Sequence, residues 1–212
     1  MIEAVKFVSR PIGENAYLFF QEESKKAVAI DPSYNTEAIV RYLEEEQMEL
    51  EAILLTHGHF DHIAGIDILR EATGAPVYLH QADADMPEDC EKNLSVITEQ
   101  AFSRKAADRL LSGGEKLELA GMEIAVLHTP GHTPGSTCYL AEDLLFSGDT
   151  LFYLSIGRTD LPGSDGEQMR QSLQKLCALE REYVVYPGHG QSTSLGFEVQ
   201  NNPYLGDERW SI

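Results

Sequence analysis

Basic residues are scarce in this chain: 16 Lys plus Arg stand against 35 Asp plus Glu, a formal net charge of −19. A surface of that sign repels phosphate backbones, and no local basic patch offsets it, so no nucleic-acid partner is expected. Long apolar runs are missing as well. No stretch approaches the roughly 20 residues that a bilayer crossing needs, so no membrane partner is expected either. The segment Met1 to Phe7 has no basic patch leading into an apolar stretch and a small-residue cleavage site, and no secretory signal is expected. Cysteine is sparse. Cys90, Cys138 and Cys177 are an odd set without close spacing. They argue against a disulfide framework and for free, ordinarily packed thiols in a reducing compartment, so the expected location is cytoplasmic. Low-complexity tracts and linkers are absent too. With 42% hydrophobic content, residues 1–212 are expected to form a single domain around one sizeable core.

Apolar runs and turn signals alternate along the chain. Val5–Val8, Ala16–Phe20 and Ala27–Ile30 read as strands, bounded by Pro11-Ile12-Gly13 and Glu22-Glu23-Ser24. Residues 36–47 carry Ile39, Val40 and Leu43 in a helical rhythm, with Asn35 or Thr36 as N-cap. Ala52–Leu55 reads as a strand, 63–72 as a helix and Pro76–Leu79 as a strand. After Gly113-Gly114, Lys116–Leu119 and Glu123–Leu127 read as an antiparallel pair, followed by strands at Cys138–Leu140 and Leu144–Phe146. Met169, Leu173, Leu176 and Leu179 predict a helix over 166–179, and Tyr183–Tyr186 a last strand. Strands both paired and single, with helices in each half, favour a layered α/β body with mixed sheets. Residues 86–111 read as an insertion with a helical section over 99–111, covering a site. This insertion and the tail over 197–212 are the expected specificity elements.

The chemistry concentrates in Thr56-His57-Gly58-His59-Phe60-Asp61-His62. It starts where one strand ends and stops where a helix begins. Alternate residues of an extended segment point the same way, so His57 and His59 can reach one ion while Asp61 and His62 face a second. His132, Asp149 and His189 each follow an apolar strand and a glycine, which lets the backbone turn tightly. Strand ends of a layered α/β body converge on one crevice. An isolated histidine after a strand is ordinarily a packing residue, and His80 and His128 are read so. Five of the seven histidines fall in the pattern, which chance does not readily arrange. His57, His59 and His132 are assigned to a first ion, Asp61, His62 and His189 to a second, and Asp149 bridges. Nitrogen and oxygen donors suit two divalent ions, zinc foremost, with iron or manganese as alternatives. Two such ions, two carboxylates and a bridging hydroxide sum to roughly +1, a centre that can generate hydroxide near neutral pH.

His-x-His-x-Asp-His followed by single His, Asp and His resembles the metallo-β-lactamase superfamily, over about residues 3–205. The resemblance implies an αβ/βα four-layer sandwich of two mixed β-sheets flanked by helices. Thr-Pro-Gly-His-Thr-Pro-Gly-Ser (129–136), Ser-Gly-Asp-Thr-Leu-Phe (147–152) and Gly-Arg-Thr-Asp-Leu-Pro-Gly (157–163) are most similar to glyoxalase II-like hydrolases, in their short bacterial form. Those hydroxyacylglutathione hydrolases cleave S-acyl thioesters such as S-lactoylglutathione. What is implied here is a small-molecule thioester substrate attacked by a metal-bridging hydroxide, with Asp61 as the catalytic carboxylate and Arg158 as a substrate-binding cation. This chain departs from glyoxalase II by carrying Asp160 where a tyrosine would follow the basic residue, so Arg158 is equally placed to pair with an acid. Mononuclear iron persulfide dioxygenases share a Gly-Arg-Thr-Asp segment, and an oxidoreductase of that kind is the alternative. A large β-lactamase subgroup places Cys in the second site and flavo-diiron proteins place Glu at His59; neither is present. The oligomeric state is not predicted.

Overall fold

The computed structural model describes residues 1–10 and 12–205. The turn residue Pro11 and the tail end 206–212 lie outside the described residues. Two six-stranded mixed sheets face each other. The first holds β1 (Ile2–Val8), β2 (Asn15–Gln21), β3 (Lys26–Ile30), β4 (Glu49–Leu54), β5 (Val77–His80) and β6 (Arg109–Leu111) in that order. β1, β2 and β3 pair antiparallel, and β3 to β6 run parallel. The second contains β7 (Lys116–Leu119), β8 (Met122–His128), β9 (Thr137–Ala141), β10 (Leu144–Gly148), β13 (Val184–Pro187) and β14 (Thr193–Ser194). A separate hairpin, β11 (Leu151–Phe152) and β12 (Ser155–Ile156), lies between them in sequence.

Three apolar clusters divide the four layers. Tyr17, Phe19, Val28 and Ile30 of the first sheet meet Ile124, Val126, Tyr139 and Phe146 of the second. The alternate residues Leu18, Ala27, Ala29 and Ile53 face Ile39 and Leu43 of α1 (Thr36–Glu45), Ile63 of α2 (Phe60–Ile63) and Leu69 of α3 (Ile66–Thr73). Cys138, Leu145 and Val185 pack on Met169, Leu173 and Leu176 of α4 (Gly166–Cys177) and on Leu195 of α5 (Leu195–Asn201). Strands buried on both faces read as continuous apolar runs, as β2 does. This is the expected four-layer sandwich. No helix among the described residues is long and apolar enough to cross a membrane.

Several sequence expectations need correction. The helical section expected over 99–111 does not form. Ser95–Ile97 makes a 3₁₀ turn, the following chain is irregular, and Arg109–Leu111 is strand β6 on the edge of the first sheet. Polar side chains there compete with a helix for the backbone. Asn93 Nδ2 and Ser95 Oγ donate to Phe102 O, and Phe102 N donates back to Ser95 Oγ. The single helix expected over 63–72 is two helices broken at Ala64-Gly65. A Cβ on Gly65 would lie 1.7 Å from Thr36 Oγ1, so the break lets the backbone seat against α1. Asn35 stands at the N-cap of α1, but its amide bonds Val8 O and caps nothing. The three cysteines are free, yet Cys177 is exposed and only Cys138 is fully buried.

Candidate metal centre

Topology brings the candidate ligands together. β9 is antiparallel to both β8 and β10, and β10 is parallel to β13, so β8, β10 and β13 share one direction. Their ends deliver His132, Asp149 and His189 to one edge of the second sheet. In the first sheet the parallel strands β3, β4 and β5 deliver Asp31, the 57–62 segment and Asp83. Three ligand groups result, each with its donor atoms within 4.8 Å of one another: His57, His59 and His132; His57, His62 and Asp149; and Asp61, His62 and His189. All seven residues expected to gather do gather. The stacked pair His80 and His128, rings 3.9 Å apart, takes no part in these groups.

Hydrogen bonds fix which ring nitrogen faces inward. Thr56 Oγ1 donates to Asp31 Oδ2 at 2.6 Å, so at 3.1 Å it can only accept from His57 Nδ1, leaving the buried His57 Nε2 without a partner. His62 Nδ1 lies 2.9 Å from Asp31 Oδ2, and its Nε2 is likewise buried and unpartnered. His132 Nδ1 meets Arg158 O at 2.9 Å. His132 Nε2 then faces His59 Nδ1 across 2.9 Å. Burial, helped by the neighbouring imidazoles, pushes His57 well down and His59 down to about 3. Both rings are therefore neutral, the form that offers a lone pair to a cation.

Carboxylates define the other half. Asp149 divides its oxygens, Oδ1 lying 3.4 Å from His62 Nε2 and Oδ2 3.4 Å from His132 Nε2. Asp61 Oδ2 lies 3.2 Å from His189 Nε2 and 3.9 Å from His62 Nε2. Burial opposes ionisation of Asp149, but His62 and His132 overcome it and hold the carboxyl well below its usual range. Asp61 is held low in the same way by His62 and His189. The glycines explain the closeness. A Cβ on Gly188 would sit 2.4 Å from Asp149 Oδ1, and one on Gly148, where φ is +48°, 2.4 Å from Thr56 Oγ1. Orphaned buried nitrogens, an orphaned Asp149 Oδ1 and a nitrogen and oxygen donor set fit divalent cations.

Above the ligands opens a cavity of about 280 Å³. Phe60, Leu94, Ile97, Phe152, Ile156 and Leu161 form its apolar wall, and Arg158 stands at the edge. The insertion thus contributes to the wall through Leu94 and Ile97, although not as a helix. Arg158 pairs with Asp160 in a two-pronged bond, Nε to Oδ1 at 2.8 Å and Nη2 to Oδ2 at 3.0 Å.

A family model described as the metallo-beta-lactamase superfamily matches residues 10–189. The chain is a member of the metallo-β-lactamase superfamily. Within it, the chain is 38% identical over 199 residues to a probable metallo-hydrolase, YqgX, of Bacillus subtilis, covering 92% of this chain and 93% of that protein. It is 32% identical over 200 residues to hydroxyacylglutathione hydrolase GloC of Haemophilus influenzae, covering 92% and 94%. Among solved structures, the BLEG-1 B3 metallo-beta-lactamase is similar at TM-score 0.90 and 40% identity, over 96% of this chain and 99% of that one. TTHA1623 in a di-iron-bound form follows at 0.83 and 38%, over 95% and 100%. ETHE1 from Myxococcus xanthus stands at 0.82 and 29%, over 98% and 87%. Membership and the histidine-rich groups together make this superfamily member a metal-dependent hydrolase using divalent ions.

Sequence reasoning missed Asp31 and Thr56, which touch the ligand residues His62 and His57, and Asp83, which bonds Gly58 and Thr133 beside the ligands. The signal was there. Asp31 follows the apolar run of β3 just as Asp149 follows that of β10.

Proposed function

We propose that this chain is a dinuclear hydrolase that cleaves S-acyl thioesters such as S-lactoylglutathione. The observation that carries the reading is Asp149, whose two oxygens are split between the first ligand group and His62 of the second. His57, His59 and His132 would hold one ion and Asp61, His62 and His189 the other, with zinc the expected metal and iron or manganese the alternatives. Bound divalent ions would supply a hydroxide nucleophile near neutral pH and positive charge for a developing oxyanion. The chain supplies the rest. Asp61, held ionised beside His62 and His189, would hold the second ion through one carboxylate oxygen and leave the other to take up a proton. The apolar wall seats an acyl group and keeps bulk water from the carbonyl. A thiolate leaves without needing a strong acid, so no protonated donor is required opposite the ligands. Arg158 stands where a charged part of the substrate would pass, once released from Asp160. Similarity to a relative named for hydroxyacylglutathione hydrolysis supports this substrate class.

A second reading, oxidation of a persulfide at a single iron, draws support from the likeness to ETHE1 and from the Gly157-Arg158-Thr159-Asp160 segment. One experiment separates them: metal analysis of natively purified protein, then thiol release from S-lactoylglutathione and oxygen uptake with glutathione persulfide on the same sample. Thioester turnover with two ions per chain, abolished by chelation and restored by zinc, is expected. Oxygen uptake with one iron per chain and no thiol release would replace the hydrolase reading with the dioxygenase one.

A further inference from the structure

The third parallel strand of the first sheet, β5, ends in a 3₁₀ turn that carries Asp83. Its side chain is fully buried, and its carboxylate takes three donors. Oδ1 accepts from Gly135 N at 2.6 Å. Oδ2 accepts from Thr133 Oγ1 at 2.7 Å and from Gly58 N at 3.2 Å. Gly58 lies between His57 and His59, and Thr133 directly follows His132. One carboxylate therefore ties the two loops that carry the whole first ligand group, and those loops leave different sheets.

Packing points the same way. A Cβ on Gly135 would lie 2.5 Å from Asp83 Cγ, and one on Gly58 2.5 Å from Met86 Cβ, in the turn that follows Asp83. Both loops are pressed onto this turn at glycines. A buried carboxylate is an expensive filler, and an apolar side chain would fill the space at less cost. What only a carboxylate offers is enough lone pairs to accept from both loops at once without bringing a donor of its own. Burial pushes the Asp83 carboxyl above its usual range even with those donors in place, so the cost is not fully recovered locally. The first ligand group is made of three histidines carried on two loops, and Asp83 bonds both loops at positions next to those histidines.

We propose that Asp83 is the positioning residue of the first metal subsite: it sets the spacing between the His57–His59 pair and His132, and so governs that subsite's affinity separately from the second. This rests on the dinuclear reading above.

Asp83→Asn keeps the shape but turns an amide N–H₂ toward a backbone N–H, so at least one of the three bonds to the two loops is lost. Zinc affinity measured by chelator competition is expected to show one of two ions weakened roughly 10–100-fold, the usual cost of losing an outer-shell partner. Cobalt-substituted protein should lose the same absorption band that His132→Ala loses. Thr133→Val, which removes one donor and keeps the volume, should move the same ion in the same direction by less, and decides the matter where Asp83→Asn does not fold. Asn15→Ala is the crossed comparison. Asn15 Nδ2 donates to Pro187 O at 2.9 Å and Gly190 O at 3.0 Å on either side of His189, so it should weaken the other ion. Wild-type affinity for both ions in Asp83→Asn and Thr133→Val, or equal weakening of both, would overturn the assignment. A wild-type chain that holds no second ion would instead sink the dinuclear reading, and this proposal with it.

Discussion

In the floor beneath the cavity, His57, His62 and His132 each have one ring nitrogen fastened to an oxygen and the other turned inward. On its wall stand the apolar side chains of Leu94, Ile97 and Phe152, and Ile97 is 74% exposed. The floor uses buried polar groups, Asp31 and Asp83 among them, to fix the direction of donor atoms. The wall needs only to be apolar and the right distance away. Chemistry that depends on lone-pair direction requires the first arrangement, whereas choice among acyl groups tolerates the second. Changes on the floor should therefore be felt as loss of metal and turnover, and changes on the wall as shifts in substrate preference.

The largest break is His59→Ala. Turnover on a thioester should fall by roughly 10²–10³-fold or more, as when a group that stabilises developing charge is removed, with circular dichroism unchanged and the metal content reduced. Undiminished turnover in metal-quantified protein would mean that the floor is not the reaction centre. Asp31→Ala comes next. It removes the partner of His62 Nδ1 and the acceptor that orients Thr56 against His57, so metal affinity should fall by roughly 10–100-fold with the ligands intact. Isothermal titration with zinc would read it. On the wall, Ile97→Ala should leave metal content alone and raise KM for longer acyl chains by roughly tenfold at most, the low end of what one methylene is worth in an apolar pocket, because Ile97 is largely exposed. A fall in kcat with metal loss would erase the distinction between the two regions.

The smallest effect tests how the wall segment is anchored. Partial burial opposes ionisation of Asp108, but the Val77 amide and Arg70 hold its carboxyl below the usual range. Because the folded value is the lower one, this contribution is present above the unfolded value near 3.9 and is lost as pH falls through the folded value. Asp108→Asn should cost no more than about 1 kcal/mol at pH 7, given the partly exposed pair. The melting-temperature gap to wild type should close in acid. A gap that persists at acid pH would point to packing rather than charge.

The ligand set was legible because its grammar is local: an apolar strand, a glycine, then a histidine or aspartate, three times over, beside one dense cluster. The four layers were legible in β2, whose alternate residues feed two different cores. What Asp31 and Asp83 hold was not legible, since the donors to each lie 25 or more residues away. The 99–111 segment misled because its helical composition is opposed by hydrogen bonds between Asn93, Ser95 and Phe102, which become competitive only once that loop closes. Arg158 was left between a substrate and an acid, and the fold paired it with Asp160.

The sequence alone determined which residues can bind metal and which layers they hang from, because periodicity, turn chemistry and donor type are properties of neighbours along the chain. Which nitrogen of each histidine points inward, which carboxylates hold the loops together and what lines the cavity were decided by tertiary structure. Those depend on strand ends from two sheets meeting at one edge, and no stretch of sequence contains both sides of such a meeting.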